Sequence, residues 1–338
     1  MSDTENRTGN AGVWQSMMDK VQGQVWPQSC LYVVATPIGN MGDLSLRGWQ
    51  ALELCDIIAA EDTRATRPFL QAWGIQTPLM AAHRHNEAQA AQAIIERLEQ
   101  GQRVALVSDA GAPAVSDPGA RVVRSVREAG FQVVPLPGAS AVITALMGSG
   151  ATSDENPAFA FAGFMPPKTV ARRKWLQHWS SLGMPVLMFE SPHRLRAALR
   201  DMEEVCGPER ELTFARELSK RFEQIHTVPL GQALAWLDED SHREQGEFVL
   251  ILHDALREVD EDAPALDATT ERWMKALLEQ VSLRDAARIA SQATGIPRDC
   301  CYDACTRNRC EHCDLQRCQR SVAASFAVSG SGFTRRCV

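Results

Sequence analysis

The sequence lacks long apolar runs and has no surplus of positive charge. No segment reaches the roughly 18 uninterrupted apolar residues that would predict a membrane span. With 42 acidic side chains against 35 Lys and Arg, the formal net charge is −7, which excludes a generally basic nucleic-acid coat and confines any nucleic-acid contact to a local patch. The first residues include acidic side chains and no apolar core, so we predict no secretory signal and expect a cytoplasmic protein.

Two familiar phosphate-binding motifs are also missing. A Rossmann dinucleotide site would need G-x-G-x-x-G after the first strand, where the sequence reads ATPIGNMGD. The Walker pattern G-x-x-x-x-G-K-[ST] does not occur in the chain. Any nucleotide-like ligand must therefore be held in another way.

From residue 31 the chain alternates short apolar runs with helical patterns. The predicted strands lie in LYVVATPIG, DIIAAED, PLMAAH, QRVALVSDAG and FQVVPLPG, and a helical segment follows each one. Because these strands are continuous runs of Val, Ile and Leu, the pattern predicts a parallel sheet buried on both faces. We therefore predict an N-terminal α/β domain over residues 30–150, preceded by a disordered arm at 1–29.

The second half of the chain follows a different pattern. After the linker-like segment GATSDENPAFA, predicted strands often follow one another directly, which indicates a mixed α+β domain over residues 151–254. An acidic linker at 255–269 and an incomplete helix-turn-helix at 270–299 follow, in which Ser282 is expected to cap a helix together with Asp285. The predicted fold class is thus α/β, with two domains and a short helical extension.

Three loops at the carboxyl ends of strands in the first half carry almost no bulky side chains. They are ATPIGNMGD (35–43), SDAGAPAVSDPG (108–119) and PLPGASA (135–141). Ligands of open parallel sheets bind outside the carboxyl ends of the strands, and Gly or Ala lets a ligand approach the backbone. The loops predict a site for an adenosine-sized ligand. The alternative is that they are only tight turns.

The same segments resemble those of a known family. ATPIGNMGDLSLRGWQAL, AAEDTR, SDAGAPAVSDPG and PLPGASA in the first half resemble the bacterial ribosomal RNA small subunit methyltransferase I family. FAGFMP, FESPHRL, ARELSKRFEQIH and QGEFVLIL in the second half resemble it in the same order. That family belongs to the tetrapyrrole-methylase-like (class III) methyltransferases, and the resemblance covers residues 31–299.

The resemblance implies a two-domain, tetrapyrrole-methylase-like subunit that binds S-adenosylmethionine between its domains, usually as a homodimer, and we expect no metal. It implies 2′-O-methylation of a cytidine in the decoding region of small-subunit (16S) ribosomal RNA, as free RNA or in the assembled subunit. Two other functions stay open: a same-fold methyltransferase of a tetrapyrrole or other small molecule, and a non-catalytic RNA- or nucleotide-binding module.

The resemblance also suggests which residues contact the cofactor. The expected cofactor-binding residues are Pro37, Gly39, Ser108, Asp109, Ala110, Gly111, Gly138, Ser140 and Ala141. Asp117 is expected to have a structural role instead, as the N-cap of the next helix with Pro118 at the first helical position.

Polar residues at the end of the second predicted strand are candidates for the chemistry. Methyl transfer to a ribose requires alignment of the attacking oxygen and removal of its proton. Our hypothesis is that Glu61 or Asp62 orients the ribose or accepts the proton, while Arg64 holds a phosphate. The alternative, which we weigh equally, is an acid–Arg pair that orders the loop.

Clustered cations in the second half are candidates for RNA contact. In an acidic protein, the run KTVARRKW and the segments ESPHR and ARELSK offer local positive charge. The expected RNA-binding residues are Lys168, Arg172, Arg173, Lys174, Arg194, Arg216 and Lys220. The alternative is a solvated helix face, the usual explanation of a charge run.

The sequence from 300 to 338 has an atypical composition. It holds seven of the ten cysteines, and its one C-x-x-C, at Cys310 and Cys313, lacks the spacing of a common zinc module. Disulfides are disfavoured in a cytoplasmic chain. Our hypothesis is that this tail is out-of-frame or otherwise aberrant coding sequence, which leaves the helix-turn-helix incomplete.

Overall fold

The structure is a computed structural model that describes residues 5–154, 156–255, 273, 276–278 and 280–294. The chain divides into two compact units, residues 1–256 and 257–338. The predicted tail at 300–338 and all but the first residue of the predicted linker at 255–269 lie outside the described residues.

Five parallel strands form the first sheet of the larger unit. They are β1 (Cys30–Val34), β2 (Ile57–Ala60), β3 (Leu79–Ala81), β4 (Arg103–Val107) and β5 (Gln132–Leu136). Their order across the sheet is β3-β2-β4-β1-β5, and every neighbouring pair is parallel. The prediction of a parallel N-terminal sheet is confirmed.

Helices cover both faces of this sheet. The helices of this half are α1 (Glu5–Gln22), α2 (Leu46–Leu54), α3 (Thr63–Ala72), α4 (Glu87–Glu99), α5 (Ala120–Glu128) and α6 (Ala141–Ser149), of which α6 packs against the other sheet of the unit instead. Neighbouring residues of β1 enter opposite cores: Tyr32 packs with Leu52 of α2, and Leu31 with Ile94 of α4. Because both faces are buried, the strands are continuously apolar, which is why the sequence pattern was informative.

The second sheet is mixed, as predicted. Its strands are β6 (Ala160–Phe164), β7 (Val186–Glu190), β8 (Glu211–Arg216), β9 (Gln224–Pro229) and β10 (Phe248–Leu252), in the order β6-β7-β10-β8-β9. Only β6 and β7 pair in parallel; the other neighbours are antiparallel. The helices of this half are α7 (Thr169–Ser180), α8 (Pro192–Cys206) and α9 (Leu230–Asp238).

The N-terminal segment differs from its prediction. Where the sequence suggested a disordered arm, the structure has α1, which contacts α2. Val21 at its C-terminal end is buried, and the indole Nε1 of Trp26 donates to the Val21 carbonyl oxygen at 3.1 Å. Packing against α2 therefore stabilises α1, although the sequence of α1 shows only a weak amphipathic pattern.

The described part of the smaller unit contains a helix, α10 (Leu283–Thr294). Its first turn is capped as predicted: the Asp285 backbone N–H donates to the Ser282 hydroxyl at 3.2 Å, and that hydroxyl donates to the Asp285 carboxylate at 2.6 Å. Ala286, Ala287 and Ala290 are buried against Leu277, Leu278 and Leu283. None of the described helices combines the length and the apolar content needed to span a membrane.

A buried ion pair holds α7 against α8. Arg172 is only 2% exposed, and its Nε donates to the Asp201 carboxylate at 2.7 Å. The neighbouring Arg173 donates to the other oxygen of Asp201 at 2.8 Å and also pairs with the exposed Glu204. Breaking a buried pair is costly because it leaves an uncompensated charge out of water.

We predict that Asp201→Asn lowers the free energy of unfolding by about 3 kcal/mol, because Arg172 stays buried without an opposite charge. Urea unfolding followed by circular dichroism would measure the change. Glu204→Gln, which removes an exposed carboxylate from the same network, is the matched control and is expected to have little effect. Equal stability of Asp201→Asn and the wild type would contradict this account of the α7–α8 contact.

Candidate active site between the two sheets

A cleft of about 330 Å³ opens between the loops of the two sheets in the larger unit. One wall is formed by residues after β1, β4 and β5, and the other by residues at the ends of β6, β7, β8 and β10. The residues that line the cleft include Ala110, Gly111, Asp117, Ser140, Ala141, Glu190 and Glu247. The cleft thus lies at the carboxyl ends of the parallel strands, where the sequence predicted a ligand site.

Backbone hydrogen bonds fix the shape of the bare wall. Thr36 and Gly111 exchange both main-chain bonds, with N···O distances of 2.9 and 3.0 Å. The Thr36 hydroxyl donates to the Ser108 carbonyl oxygen at 3.1 Å, and the Ser108 hydroxyl lies 3.3 Å from the Gly111 carbonyl oxygen. The loops after β1 and β4 are therefore tied together by main-chain bonds and by the small side chains of Thr36 and Ser108.

Two glycines in these loops are required by close approach. A Cβ at Gly138 would lie 2.8 Å from the Cβ of Ala35. Gly39 has a φ of +154°, and a Cβ there would overlap the side chain of Lys220, which lies across it. A larger residue at Gly138 would push the loops after β1 and β5 apart, and one at Gly39 would displace the Lys220 side chain.

The predicted cofactor residues divide into two groups. Ala110, Gly111, Ser140 and Ala141 line the cleft. The others lie in the same loops without lining this cavity: Pro37, Gly39, Ser108, Asp109 and Gly138. Their structural roles are to shape the loops, as the contacts of Gly138 and Ser108 illustrate.

The predicted catalytic residues Glu61, Asp62 and Arg64 lie beside the cleft but do not line it. Asp62 is the N-cap of α3: its carboxylate accepts from the Arg64 backbone N–H at 2.8 Å and pairs with the Arg64 guanidinium at 2.9 Å. This geometry matches the alternative in which an acid–Arg pair orders the loop. Burial and the nearby Asp109 raise the pKa of Glu61.

Asp117 has a different position from the predicted one. The N-cap of α5 is Gly119, whose φ is +126°, and the Gly119 N–H donates to the Glu87 carboxylate at 2.7 Å. Asp117 is therefore not the cap; its side chain lines the cleft. Burial, followed by the charges of Glu61 and Asp109, raises the pKa of Asp117 to about 6.

Glu190, at the end of β7, was not among the predicted site residues. It is 3% exposed, and its Oε1 accepts from the Ser191 N–H at 2.7 Å and from the Arg194 Nε at 2.6 Å. Glu190 lines the cleft, and its Oε2 is buried within the protein without a hydrogen-bond partner in the described part of the chain. A buried oxygen of this kind is costly unless a ligand donates to it. The motif ESPHR begins with Glu190, but the sequence alone could not show how its carboxylate is oriented.

Most of the predicted RNA-binding cations have partners within the protein. Arg172 and Arg173 pair with Asp201, and Arg194 pairs with Glu190. Arg216 is 7% exposed and donates to the His242 and Gln245 carbonyl oxygens at 2.7 and 3.2 Å. Burial removes Arg172 and Arg216 from the residues available to RNA.

The lysines of the predicted RNA-binding set are in different situations. Lys220 pairs with Glu217 and Glu247, at 2.9 Å to each. Lys168 and Lys174 are exposed and form no ion pair with another described residue. The local charge run therefore indicated the cations but not the carboxylates that neutralise most of them.

Comparison with known proteins agrees with this fold. The model of the tetrapyrrole (corrin/porphyrin) methylases matches residues 30–234. The crystal structures of a cobalt precorrin-4 methyltransferase and of a diphthine synthase superpose with a TM-score of 0.51 each, at 13% and 15% identity. The superposition covers 66% and 67% of this chain and 94% and 90% of theirs. The fold is that of the tetrapyrrole methylases.

Closer relatives specify the family. The chain is 46% identical over 273 residues to the ribosomal RNA small subunit methyltransferase I of Neisseria meningitidis serogroup B, covering 81% of this chain and 91% of that protein. It is 43% identical over 284 residues to the protein of that name from Escherichia coli O157:H7, covering 84% and 95%. The chain belongs to the ribosomal RNA small subunit methyltransferase I family and is a methyltransferase.

A second family model, the RsmI C-terminal HTH domain, matches residues 264–306. This match corrects one boundary of the sequence analysis, which ended the resemblance at residue 299. The atypical composition from Cys300 had concealed the continuation, because cysteine and arginine obscure the apolar pattern of a helix.

We predict that the Asp117→Asn variant is more stable than the wild type at pH 7, and that this advantage is lost at pH 4. A carboxyl whose pKa is raised by folding makes the folded state bind more protons, so ionisation between about pH 4 and 6 costs stability. At pH 7 the variant should gain about 1 kcal/mol, a figure discounted for the partial exposure of the side chain. Urea unfolding at pH 4 and pH 7 measures the difference.

Asp62→Asn is the control of opposite sign. Hydrogen bonds from the Arg64 side chain and backbone lower the pKa of Asp62 to about 2, so its ionised form contributes stability above pH 4. The variant should lose stability at pH 7. A loss of stability in Asp117→Asn at pH 7 would contradict the account of its surroundings.

Proposed function

We propose that this protein transfers a methyl group from S-adenosylmethionine to the 2′-hydroxyl of a cytidine in the decoding region of small-subunit (16S) ribosomal RNA. The observation that carries the proposal is a cleft lined on one side largely by loop residues with small side chains, beside the buried Glu190 Oε2, which has no partner among the described residues. The chain that forms this cleft belongs to this methyltransferase family. The names of the relatives support small-subunit ribosomal RNA as the substrate.

The residues of the cleft fit the cofactor. Its volume of about 330 Å³ suits a small molecule. Ala110, Gly111 and Ala141 leave the backbone accessible to a flat adenosine, and the free Oε2 of Glu190 can accept from a ribose hydroxyl or an ammonium group. When bound, S-adenosylmethionine supplies an electrophilic methyl group on a positively charged sulfur.

Asp117 is the group that we assign to uptake of the proton from the attacking hydroxyl. It lines the cleft, whereas the predicted candidates Glu61 and Asp62 do not, and Asp62 is occupied by Arg64. A pKa of about 6 leaves the carboxylate ionised at neutral pH and closer to the working pH than an ordinary aspartate. Burial, and then repulsion by its neighbours Glu61 and Asp109, maintains the raised pKa of Asp117, while Arg84 acts in the opposite direction.

The function is tested with purified protein, radiolabelled S-adenosylmethionine and small ribosomal subunits from cells that lack the activity. Label is then mapped by ribose-methylation-sensitive cleavage. We expect label on one cytidine ribose near the decoding centre. Label on a base, or no label although calorimetry shows cofactor binding, would contradict the proposal; transfer to a tetrapyrrole instead would favour the small-molecule alternative.

We predict that Asp117→Asn reduces kcat about 100-fold while the Kd for the cofactor is unchanged, because only proton uptake is lost. Wild-type kcat/KM should increase with pH through about 6, as Asp117 becomes ionised, and the variant should lack this step. Glu61→Gln and Asp62→Asn are the comparison variants. Loss of the pH step in either of them but not in Asp117→Asn would reassign the role.

We predict that Glu190→Gln weakens binding of S-adenosylmethionine by about tenfold or more, since it removes a charged acceptor from a buried site. Calorimetry measures the Kd. Arg194→Gln breaks the same ion pair but keeps the Glu190 carboxylate, so it separates loss of the ligand contact from loss of the pair. Unchanged affinity in a folded Glu190→Gln would show that its free oxygen faces no cofactor group.

The proposed activity locates the protein with ribosomal subunits in the cytoplasm, and the family resemblance predicts a homodimer. Light scattering gives the mass directly. A mass near twice the 37.2 kDa of one chain supports the dimer, and a mass of one chain contradicts it.

A further inference from the structure

A second groove opens beside the cleft, at the start of α5. It has a volume of about 310 Å³ and is lined by Arg84, Arg121 and Arg124, together with the carboxylates of Glu87 and Asp117. Asp117 lines both this groove and the cleft, so the two adjoin at that residue. A chain lying in the groove would therefore meet the proposed reaction site.

The arginines of this groove lack partners. Arg84, Arg121 and Arg124 are exposed, and none forms a hydrogen bond or an ion pair within the described part of the chain. Of the two acids, Glu87 already accepts from the Gly119 N–H at 2.7 Å. The groove therefore presents three free positive charges, unlike the predicted patch on α7, where Arg172 and Arg173 are neutralised by Asp201.

The sequence of α5 explains why two arginines face the groove. Val122 and Val126 are fully buried against the sheet, so Arg121 and Arg124, on the opposite side of the helix, project outward. Arg121 and Arg124 are three apart and share a helix face. Arg127 is also exposed on α5 but lies toward the other end of the helix and does not line the groove.

We propose that this groove binds the phosphates of the RNA strand next to the target ribose and leads the strand to Asp117. The inference rests on the proposed function and adds the location of the RNA. Arginine is suited to this role because its planar guanidinium donates two parallel hydrogen bonds to a phosphate. Bound phosphates would also offset the repulsion among three unpaired arginines in one groove.

The experiment measures binding of unmodified small ribosomal subunits at several salt concentrations. The double variant Arg121→Gln/Arg124→Gln should bind about tenfold more weakly and should reduce the slope of log K against log salt by about 1 to 2, because two phosphate contacts are lost. Arg84→Gln should show a smaller change in the same direction. The Kd for the cofactor should be unchanged in both variants, since the three arginines do not line the cleft.

Two controls separate the groove from general charge effects. The first control compares two single variants, Arg124→Gln inside the groove and Arg127→Gln outside it, which are three residues apart on the same helix. Lys168→Gln/Lys174→Gln removes the free cations of the competing surface on α7. An Arg127→Gln loss equal to that of Arg124→Gln, or a loss confined to the lysine variant, would overturn the proposal, as would wild-type affinity and salt slope in the double arginine variant.

Methylation assays on the same proteins distinguish the two levels of the account. If the wild type binds subunits through these arginines but transfers no methyl group, the proposed function fails and the groove stands as a binding site. If the wild type methylates and the double variant has an unchanged KM for subunits, the groove proposal fails and the function stands.

Discussion

The paired backbone bonds between Thr36 and Gly111 are the interaction on which the site depends. A ligand that is recognised by main chain needs loops without bulky side chains, yet such loops have few contacts to hold their shape. The exchange of both N–H groups and both carbonyl oxygens fixes the loop after β1 to the loop after β4. The close packing of Gly138 on Ala35 adds the third loop, the one after β5, so the shape of this wall is fixed although most of its side chains are small.

The opposite wall of the cleft, formed by the second sheet, keeps its shape for a different reason. There, charged side chains pair with one another: Lys220 lies over Gly39 and joins Glu217 to Glu247, and Arg194 orients Glu190. Together with the pairs of Arg172 and Arg173 with Asp201, these pairs use most of the cations that resemble an RNA footprint in the sequence. One carboxylate oxygen of Glu190 is left buried without a partner in the described residues, so it is available to a ligand group that reaches it. The charged pairs of this half therefore shape the site, while the unpaired Arg121 and Arg124 lie on α5 and Arg84 lies just before α4.

The sequence predicted much of the fold because the main signals are local. Strands buried on both faces are continuously apolar, so β1, β2 and β4 were visible without a structure. The position of Asp117 was not, because Glu87, 32 residues before Gly119, supplies the acceptor for the Gly119 N–H at the start of α5. The partners of Arg172 and Arg216 are equally distant in sequence. Charge runs show which residues are ionised but not which are already neutralised.

The most direct test of the account is the structure of this protein bound to S-adenosylhomocysteine and a small ribosomal subunit. It should place a hydroxyl or amino group of the ligand against the Glu190 Oε2 and the target ribose against Asp117, with the adjoining RNA backbone along Arg121 and Arg124. A ligand outside the cleft, or a ribose that approaches Glu61 and Asp62 with Asp117 remote from it, would contradict the account.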